Sequence, residues 1–435
     1  MGLAYLTSYF ASLTETFIYR EVMELQRRGF TIRVYSLRRP ERDKLSREAI
    51  DLYDRAGFLL PVKIFRVATA HVGRVLRNPG TYFLTLWKML SPTHSGIRQR
   101  IRSFLHFAEG VILAQWMERD GITHIHAHYA SQATSVARVV HLLTGIPYSF
   151  TGHAHDIWHD RLLLPEKISE ASFVICCSRL GRACLLDEAL AGEGEKIHVV
   201  YHGLNPDEFA PEATKKGREI NLILSIGRLT EQKGFSDLLA ACALLRQRGI
   251  EFRCLIIGEG ELRQSLTATI ERLGLGGHVE LVGAVPQEVI RDYYRKAWMF
   301  VLPCVDTADG NRDGIPNVLL EAMSMGVPVV TTTNAGQIEL IEHGRHGLLV
   351  PPCSPERLAD AMALLCQNWE LWAALGRASR ARVIADFDSR RTIEPLADLF
   401  ERHVPDCRSP GWKVREGGSD GVDGQGALSP LSADG

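Results

Sequence analysis

Three short segments carry residue types suited to a phosphorylated ligand. Gly227–Gly234, reading GRLTEQKG, starts where an apolar run ends and leads into a helical pattern. Arg228 and Lys233 project from that turn. Free peptide N–H groups and the positive end of a helix attract anions, and two cations add charge-assisted contacts, a set that suits a diphosphate. A plain solvated loop with ordinary surface charges has the same composition. The second segment is DGIPNVLLEAMSMGVPVV, Asp313–Val330. Seven residues separate Asp313 from Glu321, which sets one acid before a helix and the other inside it. Pro316 fits the first helical position and leaves the N–H groups of that turn open to ligand oxygens. An ionised Glu321 only accepts hydrogen bonds, as two neighbouring ribose hydroxyls require. The duller alternatives are a solvated helix face for Glu321 and a capping role for Asp313.

The third segment, TGHAHDIW at Thr151–Trp158, follows a strand pattern, so His153 and His155 leave that strand at its carboxyl end. A neutral imidazole both donates and accepts, and can hold a sugar hydroxyl or a reacting phosphate. His153, His155 and Asp156 could instead ligate a metal. So could His124, His126 and His128 of HIHAH, which alternate onto one side of a strand. No carboxylate spacing or HExxH-type pattern accompanies either set, so no metal is expected, and His124 and His126 read as structural. Gly258–Gly260 is a poor dinucleotide fingerprint, because Arg263 stands where a third glycine is needed.

These residues need a scaffold, and 435 residues exceed what one hydrophobic core usually supports. With 46% hydrophobic and 23% charged residues the chain is globular in composition. The 50 Lys and Arg nearly balance 51 Asp and Glu, which gives no global attraction to nucleic acid. Nine cysteines without a CxxC pair read as reduced thiols of a cytoplasmic protein. No apolar stretch is long enough for a transmembrane helix.

β-Branched runs alternate with helical patterns, which predicts an α/β architecture of doubly wound parallel sheets. In the second half NLILSIG, FRCLIIG, HVELVG, WMFVLP, PVVTT and GLLV are the strands. The expected organisation is a first domain over 1–210 with a helical insertion around 41–120, a linker at 211–219, and a second domain over 220–387. A disordered tail follows from 408 to 435. Two such sheets leave a cleft at the carboxyl ends of their strands, where ligands of open sheets bind. Within the insertion Lys63, Arg66, Arg74 and Arg77 share one arc of a helical wheel, with Ile64, Ala68, Val72, Val75 and Leu76 largely opposite. Residues 61–119 hold nine Lys and Arg against Glu109 and Glu118. The arc reads as a surface for anionic membrane or as a solvent face over a protein core.

The motifs GRLTEQKGF, GEGELR, DGIPNVLLEAMSMGVPVV and GQIELIEHGRHGLLVPP arrive in the order and spacing of the family-4 glycosyltransferases, and the chain resembles that family from Thr14 to about Val404. SLTETFIYRE, HIHAH, SFTGHAHDI and HGLNPDEF make it similar to the colanic-acid and exopolysaccharide branch. The resemblance implies the GT-B fold, two Rossmann-like domains facing each other, with a last helix at 388–407 crossing back to the first. It implies a nucleotide-sugar donor held by the second domain and a glycan or lipid-linked acceptor held by the first. Position by position, Gly227, Arg228 and Lys233 would meet the diphosphate, and Glu321 the ribose. The peptide groups of Gly314, Ile315, Pro316 and Asn317 would meet sugar or phosphate. Asp313 takes the place of the first Glu of the family's Glu-x7-Glu pair, one methylene shorter. His153 would line the reacting centre, with His128, His155 and Asp156 on the acceptor side. Retention of anomeric configuration, with neither a cofactor nor a catalytic metal, is also implied. The expected activity is hexosyl transfer in the cytoplasm, peripheral to the inner face of the membrane. A same-fold nucleotide-sugar epimerase and a non-catalytic nucleotide-sugar or glycan-binding module are the alternatives.

Overall fold

The computed structural model describes residues 2–11, 15–42, 45, 47–91, 96–211, 218–334, 336–404 and 407–408. Most of the linker expected at 211–219 and all but the first residue of the tail expected at 408–435 lie outside them. Two wholly parallel sheets organise the chain. The first holds β1 (Leu3–Tyr9), β2 (Ile32–Arg38), β3 (Gly57–Leu60), β4 (His124–His128), β5 (Tyr148–Gly152), β6 (Val174–Cys176) and β7 (Ile197–Val199). Their order across the sheet is β3-β2-β1-β4-β5-β6-β7. The second holds β8 (Leu222–Ile226), β9 (Arg253–Ile257), β10 (Val279–Gly283), β11 (Met299–Leu302), β12 (Val329–Thr332) and β13 (Leu348–Val350), in the order β10-β9-β8-β11-β12-β13. Both orders reverse direction beside their first strand, which opens a crevice at the carboxyl edge. The central strands β4, β5, β8 and β11 are buried throughout, because helices cover both faces.

The insertion is not wholly helical. Helices run over Ile50–Arg55, Ile64–Arg77, Pro79–Leu90 and Ile97–Arg119, but β3 lies among them and pairs with β2 in the register Ser36↔Phe58. Four residues, GFLL, are too short a run to show period two.

The wheel reading of the insertion is corrected as well. Arg74 is only 5% exposed, and its guanidinium donates to both carboxylate oxygens of Glu118 at 3.1 and 2.8 Å. Ile64 and Leu76, placed opposite it, are 87% and 79% exposed. Lys63, Arg66 and Arg77 do face solvent. The helix therefore turns Ala70 and Arg74 inward and Ile64, Phe65, Val72 and Leu76 outward. Glu118, 44 residues away on the long helix, supplies the partner that lets an arginine be buried.

The chain crosses between the sheets twice, side by side. Leu204 N–H donates to the Phe387 carbonyl at 3.0 Å and Ser389 N–H to the Leu204 carbonyl at 2.9 Å. A side chain at Gly203 would sit 2.7 Å from the Ser389 nitrogen, so only glycine lets the strands pass. The helix Glu394–His403 then packs on the first domain, where Phe400 meets the rings of Tyr5, Phe30 and Phe173 within about 6 Å.

Candidate functional site

Lys233 ends a short 3-10 turn after β8, and Gly234 follows at φ +65°, with a virtual Cβ 1.8 Å from the Pro303 carbonyl oxygen. Any other residue there would collide with backbone, so the turn closes tightly on the end of β11. That closure brings Lys233 to the loop holding Asp313. Lys233 Nζ donates to Asp313 Oδ2 at 2.8 Å, and the buried Cys304 thiol donates to the same oxygen at 3.2 Å. Burial alone would lower the Lys233 pKa, but the Asp313 carboxylate outweighs it and the net shift is upward, so the ammonium is fully charged at neutral pH. Arg228 is exposed beside this pair. The GEG segment has a structural role here: Gly258, at φ +145°, lies with its virtual Cβ 1.9 Å from the Gly227 carbonyl oxygen. Gly227 and Leu229 also donate to the carbonyls of Ile257 and Glu259. These glycines let the loop after β9 buttress the loop that carries Arg228.

Gly336 packs against the Gly314 carbonyl at a virtual Cβ distance of 2.1 Å and pins the loop Gly314–Pro316. The helix Asn317–Ser324 starts one residue later than the sequence suggested, with Pro316 as its cap. The Leu319 amide donates to the Pro316 carbonyl at 3.0 Å. Glu321 does not join Lys233 and Asp313. It is buried, accepting from Gln287 Nε2 at 2.9 Å and Tyr294 Oη at 3.1 Å, with Arg20 of the first domain 3.8 Å away. Burial raises its pKa, and the Arg20 charge and these hydrogen bonds oppose that without cancelling it. Both carboxylate oxygens thus face protein groups in this conformation. Among the described residues, Arg20 Nε and Nη2 find no hydrogen-bond partner beside it.

On the first domain, His153 caps the helix Ala154–Trp158 and is half-buried. Its Nε2 lies 3.4 Å from His128 Nδ1, and His128 Nε2 lies 3.1 Å from Glu21 Oε1. Tyr5 donates to the same Glu21 oxygen at 2.8 Å. Burial would push Glu21 up, yet His128 above all holds it down at about 2. The three acceptor-side candidates differ in exposure. His128 is fully buried, and Asp156 is turned inward, accepting from the amides of His153 at 2.9 Å and of Ala130. Burial raises Asp156 to about 7, against those amides and Lys167. Only His155 of that trio is exposed. His124 and His126 bond to Ser149, and His126 also to Thr151, as structural histidines.

Sequence reasoning missed Glu21, Cys177, His202 and Glu339. Cys177 Sγ lies 2.9 Å from His202 Nε2 and 3.8 Å from His153 Nδ1. Burial holds His202 down at about 4, so its ring is neutral at physiological pH. The rule that singled out His153, a position just past a strand's carboxyl end, finds Cys177 and His202 as well once β6 and β7 are considered. Glu339 bridges the domains: it accepts from the amides of Arg179 and Leu180 at 2.9 and 3.0 Å and from Tyr201 Oη at 2.9 Å. Arg312 over the Trp158 ring and Arg291 with Glu48 at 3.2 Å add further cross-domain contacts.

Comparison with known proteins agrees with this architecture. Residues 14–208 match the model of Glycosyltransferase Family 4, and residues 206–382 that of Glycosyl transferases group 1. The chain is 30% identical over 420 residues to the amylovoran biosynthesis glycosyltransferase AmsK of Erwinia amylovora, spanning 92% of this chain and 100% of that one. It is 27% identical over 218 residues to a GDP-mannose-dependent alpha-(1-6)-phosphatidylinositol monomannoside mannosyltransferase of Mycobacterium tuberculosis, covering 48% of this chain and 57% of the relative. Among solved structures, Anabaena HepE in complex with UDP superposes with a TM-score of 0.68 at 15% identity, over 92% of this chain and 100% of HepE. Sucrose-phosphate synthase from Thermosynechococcus elongatus gives 0.70 at 17%, over 92% and 99%. With two parallel α/β domains meeting at the carboxyl edges of their sheets, and with the whole length of AmsK matched, the chain belongs to the family-4 glycosyltransferases and has their GT-B fold.

Proposed function

We propose that this enzyme moves a hexosyl unit, with retention of configuration, from a nucleoside-diphosphate sugar to a growing lipid-linked glycan in exopolysaccharide biosynthesis. The observation that carries the reading is the Lys233–Asp313 contact of 2.8 Å at the carboxyl edge of the second sheet, with Arg228 beside it. A diphosphate placed there meets two cations that neutralise charge developing on the leaving group, work a divalent metal does elsewhere, so no catalytic metal is called for. Asp313 then exchanges the ammonium for hydroxyls of the transferred sugar, and His153 faces the reacting centre from the first domain. Glu321 takes the ribose once Arg20 gives way to the incoming nucleotide. HepE binds UDP and the mycobacterial relative uses GDP-mannose, so donors of both bases belong in the test.

Thermal shift against UDP, GDP and ADP and their sugars identifies the donor, because a ligand of the native state raises stability by mass action. Transfer to a lipid-linked acceptor is then measured with that donor. Lys233→Ala should lower turnover by at least about 100-fold, the usual scale for losing one transition-state charge contact. Full transfer by a folded Lys233→Ala variant refutes the site.

The same reading places the enzyme on the cytoplasmic face of the membrane. Ile64, Phe65, Leu76, Phe83, Trp87 and Ile97 are all more than half exposed on the helical insertion, with Lys63, Arg66 and Arg77 among them. Apolar and aromatic side chains within a basic rim suit the headgroup region of an anionic bilayer. None of the helices among the described residues is long and apolar enough to cross a membrane. Vesicles with anionic lipid should bind the enzyme, and salt should remove only the electrostatic part. Trp87→Ser with Leu76→Ser should weaken binding at all salt concentrations, since each buried large apolar side chain contributes about 1.5–3 kcal/mol. Unchanged binding by that double variant refutes the docking face.

A further inference from the structure

The strands β5, β6 and β7 lie side by side, and just past each carboxyl end stands one potential metal ligand: His153, Cys177 and His202. Their ligand atoms all fall within 4.8 Å of one another, and each residue is half-buried. We infer that His153 Nδ1, Cys177 Sγ and His202 Nε2 form a binding site for a borderline-soft divalent cation, Zn2+ above all, with its fourth position open to the cleft. The step goes beyond the transfer reaction, and its inhibitory consequence rests on the placement of His153 at the reacting centre.

The geometry fits a tetrahedral ion. Zn–N bonds of about 2.0–2.1 Å and a Zn–S bond of about 2.3 Å put neighbouring ligand atoms about 3.5 Å apart. The observed sulfur–nitrogen separations are 2.9 Å to His202 and 3.8 Å to His153, on either side of that value. Two imidazoles on one tetrahedral ion have ring centres about 5 Å apart. Those of His153 and His202 are 5.3 Å apart, with the planes within 15°. A second shell is in place too. A ligating histidine characteristically gives its other ring N–H to a partner that fixes its tautomer. Here His153 Nε2 meets His128 Nδ1 at 3.4 Å, and His128 Nε2 meets the Glu21 carboxylate at 3.1 Å. Phe17 packs its ring 4.4 Å from that of His202 and walls one side of the site.

The donor set is chemically selective. A thiolate with two neutral imidazoles favours Zn2+ over Mg2+ or Ca2+, which take oxygen ligands. Binding requires the Cys177 thiol to release its proton to solvent, so affinity rises with pH. An ion held by His153 Nδ1 takes that ring away from the substrate and blocks transfer. The site would make the enzyme sensitive to free zinc without giving it a metal-dependent reaction.

The test uses the full chain freed of metal with a chelator. Zn2+ is titrated against a chromophoric competitor, and Co2+ is added separately as a spectroscopic probe. The expected result is one Zn2+ per chain with Kd below about 1 μM, and a tetrahedral Co2+ spectrum with a near-ultraviolet thiolate charge-transfer band. Cys177→Ser should abolish that band and lower Zn2+ affinity at least 100-fold, and His202→Asn should do the same to affinity, both checked as folded by circular dichroism. Glu21→Gln should weaken binding by about 10–100-fold through the second shell. Absence of the charge-transfer band, or wild-type affinity in both Cys177→Ser and His202→Asn, overturns the site. Inhibition of transfer by Zn2+, relieved by chelator and lost in Cys177→Ser, completes the case. Binding without inhibition supports the metal site and removes His153 from the reacting centre.

Discussion

The Glu339 carboxylate should act as a latch between the two domains, and its removal is the most direct test of how closure is held. Glu339 belongs to the second domain, yet its oxygens take the first two amides of the helix Arg179–Glu188 and the Tyr201 hydroxyl, all from the first. It thus does for a helix of the other domain what a capping side chain does for its own. Capping contributes about 0.5–2 kcal/mol, and a hydrogen bond to a charged acceptor about 1.5–3 kcal/mol where solvent is excluded. The group is only partly buried, so solvent screening trims the sum, and about 2 kcal/mol is the figure to test. That energy shifts the closed-to-open ratio by about 30-fold. Glu339→Ala should therefore expand the protein in small-angle scattering and raise the donor KM, while turnover at saturating donor changes little. Tyr201→Phe, which removes one of the three hydrogen bonds, should produce a smaller shift in the same direction. Scattering and KM identical to wild type in Glu339→Ala would show that closure does not depend on this contact.

Two further outcomes follow from buried charge. Arg74→Ala should cost about 1–3 kcal/mol in urea unfolding, because it removes a buried two-pronged contact to Glu118, which keeps only the more distant Arg77 at 3.7 Å, whereas Lys63→Ala and Arg66→Ala should cost almost nothing; equal effects would return Arg74 to the surface. His124 is held down at about 3, by burial first and then by the nearby charge of His403. With the folded pKa below the unfolded value of about 6.5, the native state binds fewer protons, so stability falls as pH drops from about 6.5 toward 3. The slope from this one ring approaches about 1.4 kcal/mol per pH unit, or about 2 kcal/mol lost by pH 5. Asp156, raised to about 7, works in the opposite sense: its contribution is present at low pH and is lost as pH rises through 7. The difference in slope between wild type and His124→Asn isolates the histidine, and parallel curves between pH 4 and 6 would refute its neutral burial.

How much of this was legible in the sequence depended on whether a feature is local. Strands buried on both faces, such as Leu222–Ile226 and Met299–Leu302, announce themselves as apolar runs. Lys233 and Asp313 were each singled out in the sequence, but their 2.8 Å contact was not, because it depends on β8 lying beside β11. A helical wheel, by contrast, reports period and not which arc faces the core. For Ile64–Arg77 the deciding fact is Glu118, and nothing near Arg74 signals it. Glu321 was read as an acceptor for ribose hydroxyls, on a helix entered just after Asp313. Its neighbours prove to be Gln287, Tyr294 and Arg20, contributed by another helix and by the other domain.

The same distinction explains why the site gathers where it does. In a parallel sheet every strand points its carboxyl end to one edge, so residues far apart in sequence converge there without any local signature. His153, Cys177 and His202 span fifty positions and meet because β5, β6 and β7 are neighbours; Lys233, Cys304 and Asp313 meet because β8 lies next to β11. Strand order is thus the information that a motif search lacks. It follows that moving a ligand along its own strand is more damaging than changing its neighbours in sequence. Cys176, one residue back, points its thiol to the His198 carbonyl at 3.3 Å, because successive side chains of a strand face opposite ways. A Cys177→Ser chain therefore cannot recruit Cys176 as a substitute ligand, and a thiolate–cobalt band persisting in that variant would contradict the pleat on which the whole arrangement depends.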